Sequence, residues 1–423
     1  MVSPCFLVLI IIETFIAHCD TGYELDVAYS VVDLLILSST EVIMIPRTIF
    51  DSDHEGFRDT VRKFFEKEVT PFHEQWEEDG QVDKAIWKKA GEMGFLCPTA
   101  DEKYGGLGCD FRYSAILIEE MAHAGCSGIG WSLHSDIVMP YINNWGSEAL
   151  KQKYIPKMIS GDMVGAIAMT EPGAGSDLQG IKSTAVLNGD HYVLNGSKTF
   201  ITNGQHSDLV VVVAKTDPSK GAQGISLLVV EAGWEGFTKG KNLKKVGLKA
   251  QDTCELFFDN VKVPVENLVG KEGIGFIALM NELPQERLLV GLGAASACEA
   301  ALKMTKEYIK ERKAFGKPIC KFQNTRFKMA EMIGETTQMR VFTDRCLELH
   351  VQKKLDIPTA AMLKQMSSDL QCKVMDECVQ LFGGYGYMWE YPIARAWADS
   401  RIQKIYAGTN EIMKEIIAKA ELG

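Results

Sequence analysis

Apolar residues recur at helical spacing through the first third of the chain. In GFRDTVRKFFEKEVTPF, Phe57, Val61, Phe64, Phe65 and Val69 return at three- and four-residue steps, the stripe of an amphipathic helix. YGGLGCD interrupts this period and YSAILIEEMAHAG resumes it. Between about residues 164 and 264 the pattern changes. HYVLNG, DLVVVVAK, ISLLVVE and CELFFDNVKV are short runs rich in Val, Ile and Phe, parted by the turn signals Asn188-Gly189 and Asn195-Gly196. They predict a small all-β domain. From about Gly275 the helical period returns, with helices predicted over residues 284–313, 322–354 and 358–381 and a short pair over 392–403 and 409–420. Helices of this length with apolar stripes suggest a bundle.

The chain has 423 residues, 46% of them hydrophobic and 24% charged, ordinary values for a folded protein of two or three domains. A net charge of -11 argues against nucleic acid as a partner. Eleven scattered cysteines with no Cys-x-x-Cys pair favour a reducing compartment over a disulfide framework. The eight histidines form no metal-ligand pattern, so no metal site is expected. The apolar run from Phe6 to Ile12 is too short to span a bilayer. No Lys or Arg precedes Arg47, while Glu13, Asp20, Glu24, Asp26, Asp33 and Glu41 are acidic, so the segment makes a poor signal peptide and a poor mitochondrial presequence. Residues 1–43 are therefore expected to lie outside the fold as a poorly ordered extension, with Met44 a plausible start. A bacterial cytoplasm is favoured, and the mitochondrial matrix if the source is eukaryotic.

Four motifs carry candidate chemistry. AMTEPGAGSD, Ala168 to Asp177, joins a hydroxyl at Thr170 to glycines that let a ligand approach the backbone closely. FITNG, Phe200 to Gly204, sets an aromatic face beside the hydroxyl of Thr202, which suits an isoalloxazine ring. ERKAFGKPICKFQ offers Arg312 as a fork-shaped cation for pyrophosphate and Gln323 for a sugar or base. The stretch Gln380 to Ile412 breaks a helix at Gly383, Gly384 and Gly386. It then starts another at YAGTNEI, where the N–H groups of Gly408 and Thr409 could serve an anion or oxyanion.

With AMTEPGAGSD and Q-x-x-GG-x-G-Y-x-x-E-x-x-x-x-R-x-x-x-D (Gln380 to Asp399) in this order, residues 44 to 423 resemble the acyl-CoA dehydrogenase family. ELPQERLL, GLKAQDT and GGYGYMWEYPIARAWAD are most similar to its long-chain branch. The resemblance implies an α+β fold: an N-terminal α-helical domain over 44–163, a middle β-barrel over 164–274 and a C-terminal four-helix bundle over 275–423. It implies FAD between barrel and bundle, a homotetramer, an acyl-CoA substrate, electron-transfer flavoprotein as acceptor and no integral membrane association. It implies that Met169, Thr170, Ser176, Phe200, Ile201 and Thr202 line the flavin. Arg312, Phe315, Gln323, Gln380, Gly383 and Gly384 would hold the ADP half, partly across a subunit boundary. Thr409 and Glu411 would close over the cofactor. Ser176, Pro284, Gln285, Arg287, Ala407 and Gly408 would border the acyl-CoA.

The base departs from the commonest family pattern. Many members carry a Glu where this chain has Ala407 in the Y-x-G-T motif, and alanine cannot accept a proton. The long-chain and isovaleryl branches carry the Glu on the first bundle helix, and the matching residue is Glu286 in LPQERL. Glu282, one turn earlier, reads as a solvated helix residue. By the family's mechanism Glu286 takes the α-proton while the β-hydride passes to flavin N5. The backbone N–H at Ala407 stabilises the thioester oxygen, a task indifferent to its side chain. An aliphatic pocket would raise the pKa of Glu286 toward neutrality. The lysines 239, 241, 244, 245 and 249 read equally as a partner surface or a solvated loop, and no site is assigned there. The alternatives are an isovaleryl-type branched- or short-chain dehydrogenase, an acyl-CoA oxidase, and a retired flavoprotein acting in assembly.

Overall fold

The computed structural model describes residues 45–423, of which Ile49–Gly423 form one unit. The extension expected over residues 1–43 lies outside the described residues. Helix α1 (Ser52–Phe64) begins at Asp51, whose carboxylate accepts the N–H groups of Asp53 and His54 at 3.0 and 3.2 Å, a strong N-cap. A π-helical stretch, Phe65–Val69, leads into α2 (Thr70–Asp79). Its wider turn shifts the helical phase, which lets the neighbours Phe64 and Phe65 both be buried. Helices α3 (Ala85–Glu92), α4 (Phe111–His123), α5 (Met139–Trp145) and α6 (Glu148–Ile159) complete the first layer.

Eight strands follow: β1 (Gly165–Ala168), β2 (Thr184–Asn188), β3 (His191–Thr202), β4 (Leu209–Lys215), β5 (Ile225–Glu231), β6 (Phe237–Asn242), β7 (Thr253–Pro264) and β8 (Leu268–Val269). They pair in the order β6-β7-β3-β2-β4-β5-β8, with β1 parallel to β4. The sheet curls around its own core. Val210, Val212, Leu228 and Val230 face inward with Leu194, Leu256 and Phe258. Their neighbours Leu209, Val211, Leu227 and Val229 face outward onto Val138, Tyr141, Ala278 and Leu279. Both faces of β4 and β5 are covered, which is why they read as unbroken apolar runs. Among the described residues β6 and β8 do not pair with each other, so the barrel is open along that seam. Asn188-Gly189 does turn the chain between β2 and β3. Asn195-Gly196 does not: it lies inside β3, where the register slips against β7. Its glycine is needed for close approach, since a Cβ at Gly196 would lie 2.2 Å from Ser183 Oγ.

The helical third comprises α7 (Gly275–Glu311), a hairpin of β9 (Lys313–Ala314) and β10 (Lys317–Pro318), α8 (Gln323–Val351), α9 (Ile357–Phe382), α10 (Pro392–Ser400) and α11 (Asn410–Leu422). Helices α7, α8 and α9 pack on one another, and α11 packs on α9. Helix α7 starts nine residues before the predicted position because Pro284 sits inside it. The ring forfeits the bond to the Met280 carbonyl but does not end the helix. With a mean hydropathy of 1.3 over its most apolar window, α7 is long and apolar enough to cross a membrane, yet that window is mostly buried within the protein.

Asp399 joins the three parts. Its carboxylate accepts the Ser127 hydroxyl from the first layer and the Leu248 N–H from the β domain. Beside it Gly247 must be glycine, because a Cβ there would stand 2.6 Å from the Ala398 carbonyl carbon. Arg395 donates to the Trp389 carbonyl at 2.9 Å and faces Glu77 at 3.6 Å. The Arg and Asp that close the long glycine-rich motif thus hold the fold together.

Candidate active site

Glu286 lies on α7, 6% exposed, and its Oε1 accepts the Tyr141 hydroxyl at 2.9 Å. Tyr141 projects from α5 and is fully buried. Burial pushes the Glu286 carboxyl up to about 7 despite the lowering pull of the Tyr141 bond and of Arg287. A carboxyl buried against apolar walls resists ionisation, and that makes it a proton acceptor poised near neutrality. Gln285, next along α7, donates to the Asp136 carbonyl at 2.6 Å and ties the helix to the π-helical segment Leu133–Val138.

Glu282 is not the solvated residue its position suggested. It is 9% exposed and accepts the Trp145 indole N–H at 2.8 Å and the Asn144 amide at 3.0 Å. A second buried carboxyl, Asp136, was missed altogether. It accepts the Ser114 hydroxyl at 2.6 Å, and burial raises it to about 7. The only trace in the sequence is an acid inside the apolar run HSDIVMPYI.

Ala407 and Gly408 form a left-handed turn, with φ of 54° and 89°. Thr409 caps α11, its hydroxyl accepting the Ile412 N–H at 3.3 Å, and Glu411 is exposed in the first turn. The turn is gripped from α9 by Lys364, which donates to the Gly408 carbonyl at 2.7 Å and to Asn410 Oδ1 at 2.9 Å. Arg287 is 3% exposed and, among the described residues, its Nε has no hydrogen-bond partner. An orphaned buried donor of this kind implies a missing acceptor.

At the mouth of the curled sheet, Met169 and Thr170 follow β1 and Thr202 ends β3, all three half-buried. Phe200 is 68% exposed at φ 58°. A large apolar side chain held out in a strained conformation invites a flat ligand. The loop behind is fixed by Lys198, fully buried, which donates to Glu171 at 2.8 Å and to the Met169 carbonyl at 3.1 Å. Asn203 donates to the Gly130 and Gly165 carbonyls. Ser176 is exposed on this loop. Ile201 is buried in the sheet core, so only its backbone can face a ligand.

The remaining candidates gather elsewhere. Arg312, Phe315, Gln323, Gln380, Gly383 and Gly384 are all exposed around the far end of α7. There the Arg312 guanidinium lies 5.4 Å from the Tyr385 ring. Arg312, the C-cap of the helix that carries Glu286, is 26 residues beyond it, roughly 40 Å away at 1.5 Å per residue. The lysine cluster resolves as structural for three of its five members. Lys239, on edge strand β6, donates to the Gln205 and Ser207 carbonyls, Lys245 donates to the Gln251 carbonyl, and Lys249 lies 3.6 Å from the Trp389 ring centroid. Among the described residues, no three His, Cys, Asp or Glu side chains converge as metal ligands.

Models of the acyl-CoA dehydrogenase N-terminal, middle and C-terminal domains match residues 51–162, 166–261 and 273–422. The chain is 53% identical over 375 residues to the mitochondrial long-chain specific acyl-CoA dehydrogenase of Rattus norvegicus, covering 88% of this chain and 87% of the relative. It is similar to the crystal structure of an acyl-CoA dehydrogenase from Geobacillus kaustophilus, with a TM-score of 0.87 at 51% identity over 89% and 99% of the two chains. It is also similar to the Bacillus anthracis acyl-CoA dehydrogenase complexed with FAD, with a TM-score of 0.82 at 33% identity over 90% and 71%.

Proposed function

Because the chain belongs to the acyl-CoA dehydrogenase family, we propose that it oxidises long-chain fatty acyl-CoA to the trans-2-enoyl thioester, with Glu286 as the general base. It is an oxidoreductase of fatty acid oxidation with FAD as its cofactor. The observation that carries the reading of the base is the Glu286 carboxyl, buried and pushed up to about 7, in a chain whose Ala407 cannot take a proton. Long-chain preference rests on similarity to the rat enzyme of that name.

The residues at the sheet mouth fit the cofactor. Phe200 offers an exposed aromatic face, and the hydroxyls of Thr170 and Thr202 flank it at two strand ends. When bound, FAD accepts the β-hydrogen of the substrate as a hydride at N5. Glu286 takes the α-proton. The Ala407 N–H meets the thioester oxygen as it gains charge, a role worth roughly 3 kcal/mol per donor. The ADP-binding set at the far end of α7 would serve the cofactor of a neighbouring subunit, in keeping with a homotetramer. Electron-transfer flavoprotein would be the electron acceptor that returns the enzyme to its oxidised form. The compartment follows the source: relatives come from mitochondria and from bacteria.

Anaerobic titration of the flavin absorbance tests the substrate. Palmitoyl-CoA is expected to bleach the oxidised band at stoichiometric addition. Bleaching by isovaleryl-CoA alone would transfer the activity to a branched, short acyl group. A yellow protein that neither thioester bleaches would overturn the dehydrogenase reading.

Tyr141→Phe tests the site electrostatics. The hydroxyl stabilises the Glu286 carboxylate, so its loss raises the pKa of the base further. The acid limb of the kcat/KM profile, near pH 7 in the native enzyme, is expected to move up by about one unit. An unmoved limb would mean that another group titrates there.

A further inference from the structure

Lys364 has no exposed surface, yet it carries an ammonium group. Burying a charge costs several kcal/mol unless hydrogen bonds offset it, and a neutral amide would anchor a turn at less cost. Its two acceptors are specific. The Gly408 carbonyl, at 2.7 Å, belongs to the turn, and Asn410 Oδ1, at 2.9 Å, belongs to the first residue of the helix that follows. Asn410 is held in its own right, donating to Ser368 Oγ at 3.0 Å and Asp369 Oδ1 at 3.1 Å, both on α9. Lys364 thus ties the peptide after Gly408 to a rigid helix one turn from a second anchor.

The turn needs such a grip. Ala407 is a non-glycine residue in the left-handed region, a conformation its Cβ disfavours. A strained turn relaxes unless its surroundings over-determine it. Burial drives the Lys364 ammonium down to about 8, and the positive charge of Arg287 pushes it the same way. The two cations therefore feel each other near the turn. Arg287 adjoins the proposed base in sequence, and its orphaned Nε leaves it with donor capacity to spare.

We propose that Lys364 is the positioning residue of the oxyanion turn: by holding the Gly408 carbonyl, two peptide planes beyond the Ala407 N–H, it pins the far side of the turn and so limits how the N–H at which the thioester oxygen gains charge can rotate. This rests on the dehydrogenase reading above. Lys364 touches neither substrate nor cofactor in this account. It acts through the backbone, so its removal costs less than deletion of an oxyanion donor, for which 10²–10³-fold losses are typical.

The test compares the holoenzyme with its Lys364→Met variant in three measurements. FAD content and palmitoyl-CoA affinity are expected to stay within about 3-fold of the native enzyme. The rate of anaerobic flavin bleaching is expected to fall about 30-fold, below the loss for a deleted donor. The third measurement uses 3-thiapalmitoyl-CoA, which can lose its α-proton but cannot deliver a hydride. Its long-wavelength charge-transfer band with the flavin is expected to appear in the native enzyme and to weaken, or require higher pH, in the variant. A purely structural lysine would lower FAD content and melting temperature and leave the band per bound flavin unchanged, and that result would overturn the proposal. So would bleaching at the native rate. If Lys364→Met does not accumulate as a flavoprotein, Lys364→Gln keeps a polar group in the buried site but ends one bond short of the Gly408 carbonyl. The same weakening of the band is then expected, and an unaltered band refutes the positioning role. Failure of the native enzyme to bleach or to form the band is a distinct outcome, since it sinks the dehydrogenase reading itself.

Discussion

Glu286→Gln is expected to slow thioester-driven bleaching of the flavin by about 10³-fold, the middle of the range for loss of a general base. Flavin content and thioester affinity should hold within a few-fold. Glutamine keeps the shape of the side chain, and its carbonyl can still accept the Tyr141 hydroxyl, so the local packing persists. What disappears is the group proposed to receive the α-proton. Asp136 makes the experiment decisive. It too is buried with its carboxyl raised to about 7, but its oxygen is engaged by Ser114. Asp136→Asn should therefore leave bleaching within about an order of magnitude of native, whereas a collapse in that variant and not in Glu286→Gln would hand the base to Asp136.

The same substitution carries a stability signature of opposite sign. Glu286 ionises near 4.5 when unfolded and near 7 when folded. Between those values the folded state holds the extra proton, so native stability falls as pH rises from 4.5 to 7 and stays reduced above 7. Glutamine has no such dependence. At pH 8 the variant should be more stable by up to about 3 kcal/mol, from 1.36 kcal/mol per pKa unit. A gain in stability with a loss of rate is the mark of a group placed for chemistry.

Much of this was legible along the chain, and what was hidden has a common cause. Strands β3, β4, β5 and β7 show in their apolar runs, and Glu286 stands out as the candidate base because the family resemblance sets LPQERL against Ala407. Periodicity does not reveal burial of a charged residue. Lys198, Lys239, Lys245 and Lys364 look solvated because lysine almost always is, yet each is committed to backbone or carboxylate acceptors inside the fold. Glu282 and Asp136 were lost for the same reason. Strand β6 carries two lysines in six residues and reads as loop until its pairing with β7 is seen. Pro284 looked like a helix start because proline favours the first turn, but here it interrupts a helix already under way.

Arg340→Met is expected to destabilise the protein by about 3–5 kcal/mol, the range for breaking a buried ion pair by removing one partner. Arg340, 6% exposed on α8, donates to Glu299 at 2.7 and 2.8 Å, to Glu119 at 3.1 Å and to Ser296 at 2.7 Å. Glu119 is completely buried on α4 and is reached from the other side by Arg58 of α1 at 2.9 Å. Methionine would leave Glu119 with one cation for its charge and deprive Glu299 of its bidentate partner. Urea denaturation should show the loss. Adding Glu119→Gln to Arg340→Met should recover part of it, because the buried charge that lost the Arg340 cation is removed with it, and a double-mutant cycle reads that coupling. Acid should act on the same network. Burial alone would raise Glu299, but hydrogen bonds from His123 and Arg340 hold it down to about 2, and His123, Arg62 and Arg58 do the same for Glu120. A depressed carboxyl stabilises the fold above its unfolded pKa, so this contribution is complete above about pH 4.5 and fades as pH falls toward 2. The Arg340 variant should lose part of that acid dependence. A variant within about 1 kcal/mol of native, with its acid profile unchanged, would show that the network binds α1, α4, α7 and α8 without stabilising them. The network sits on α7 ten residues and more beyond Glu286, so at low temperature the bleaching rate of the variant should change far less than its stability.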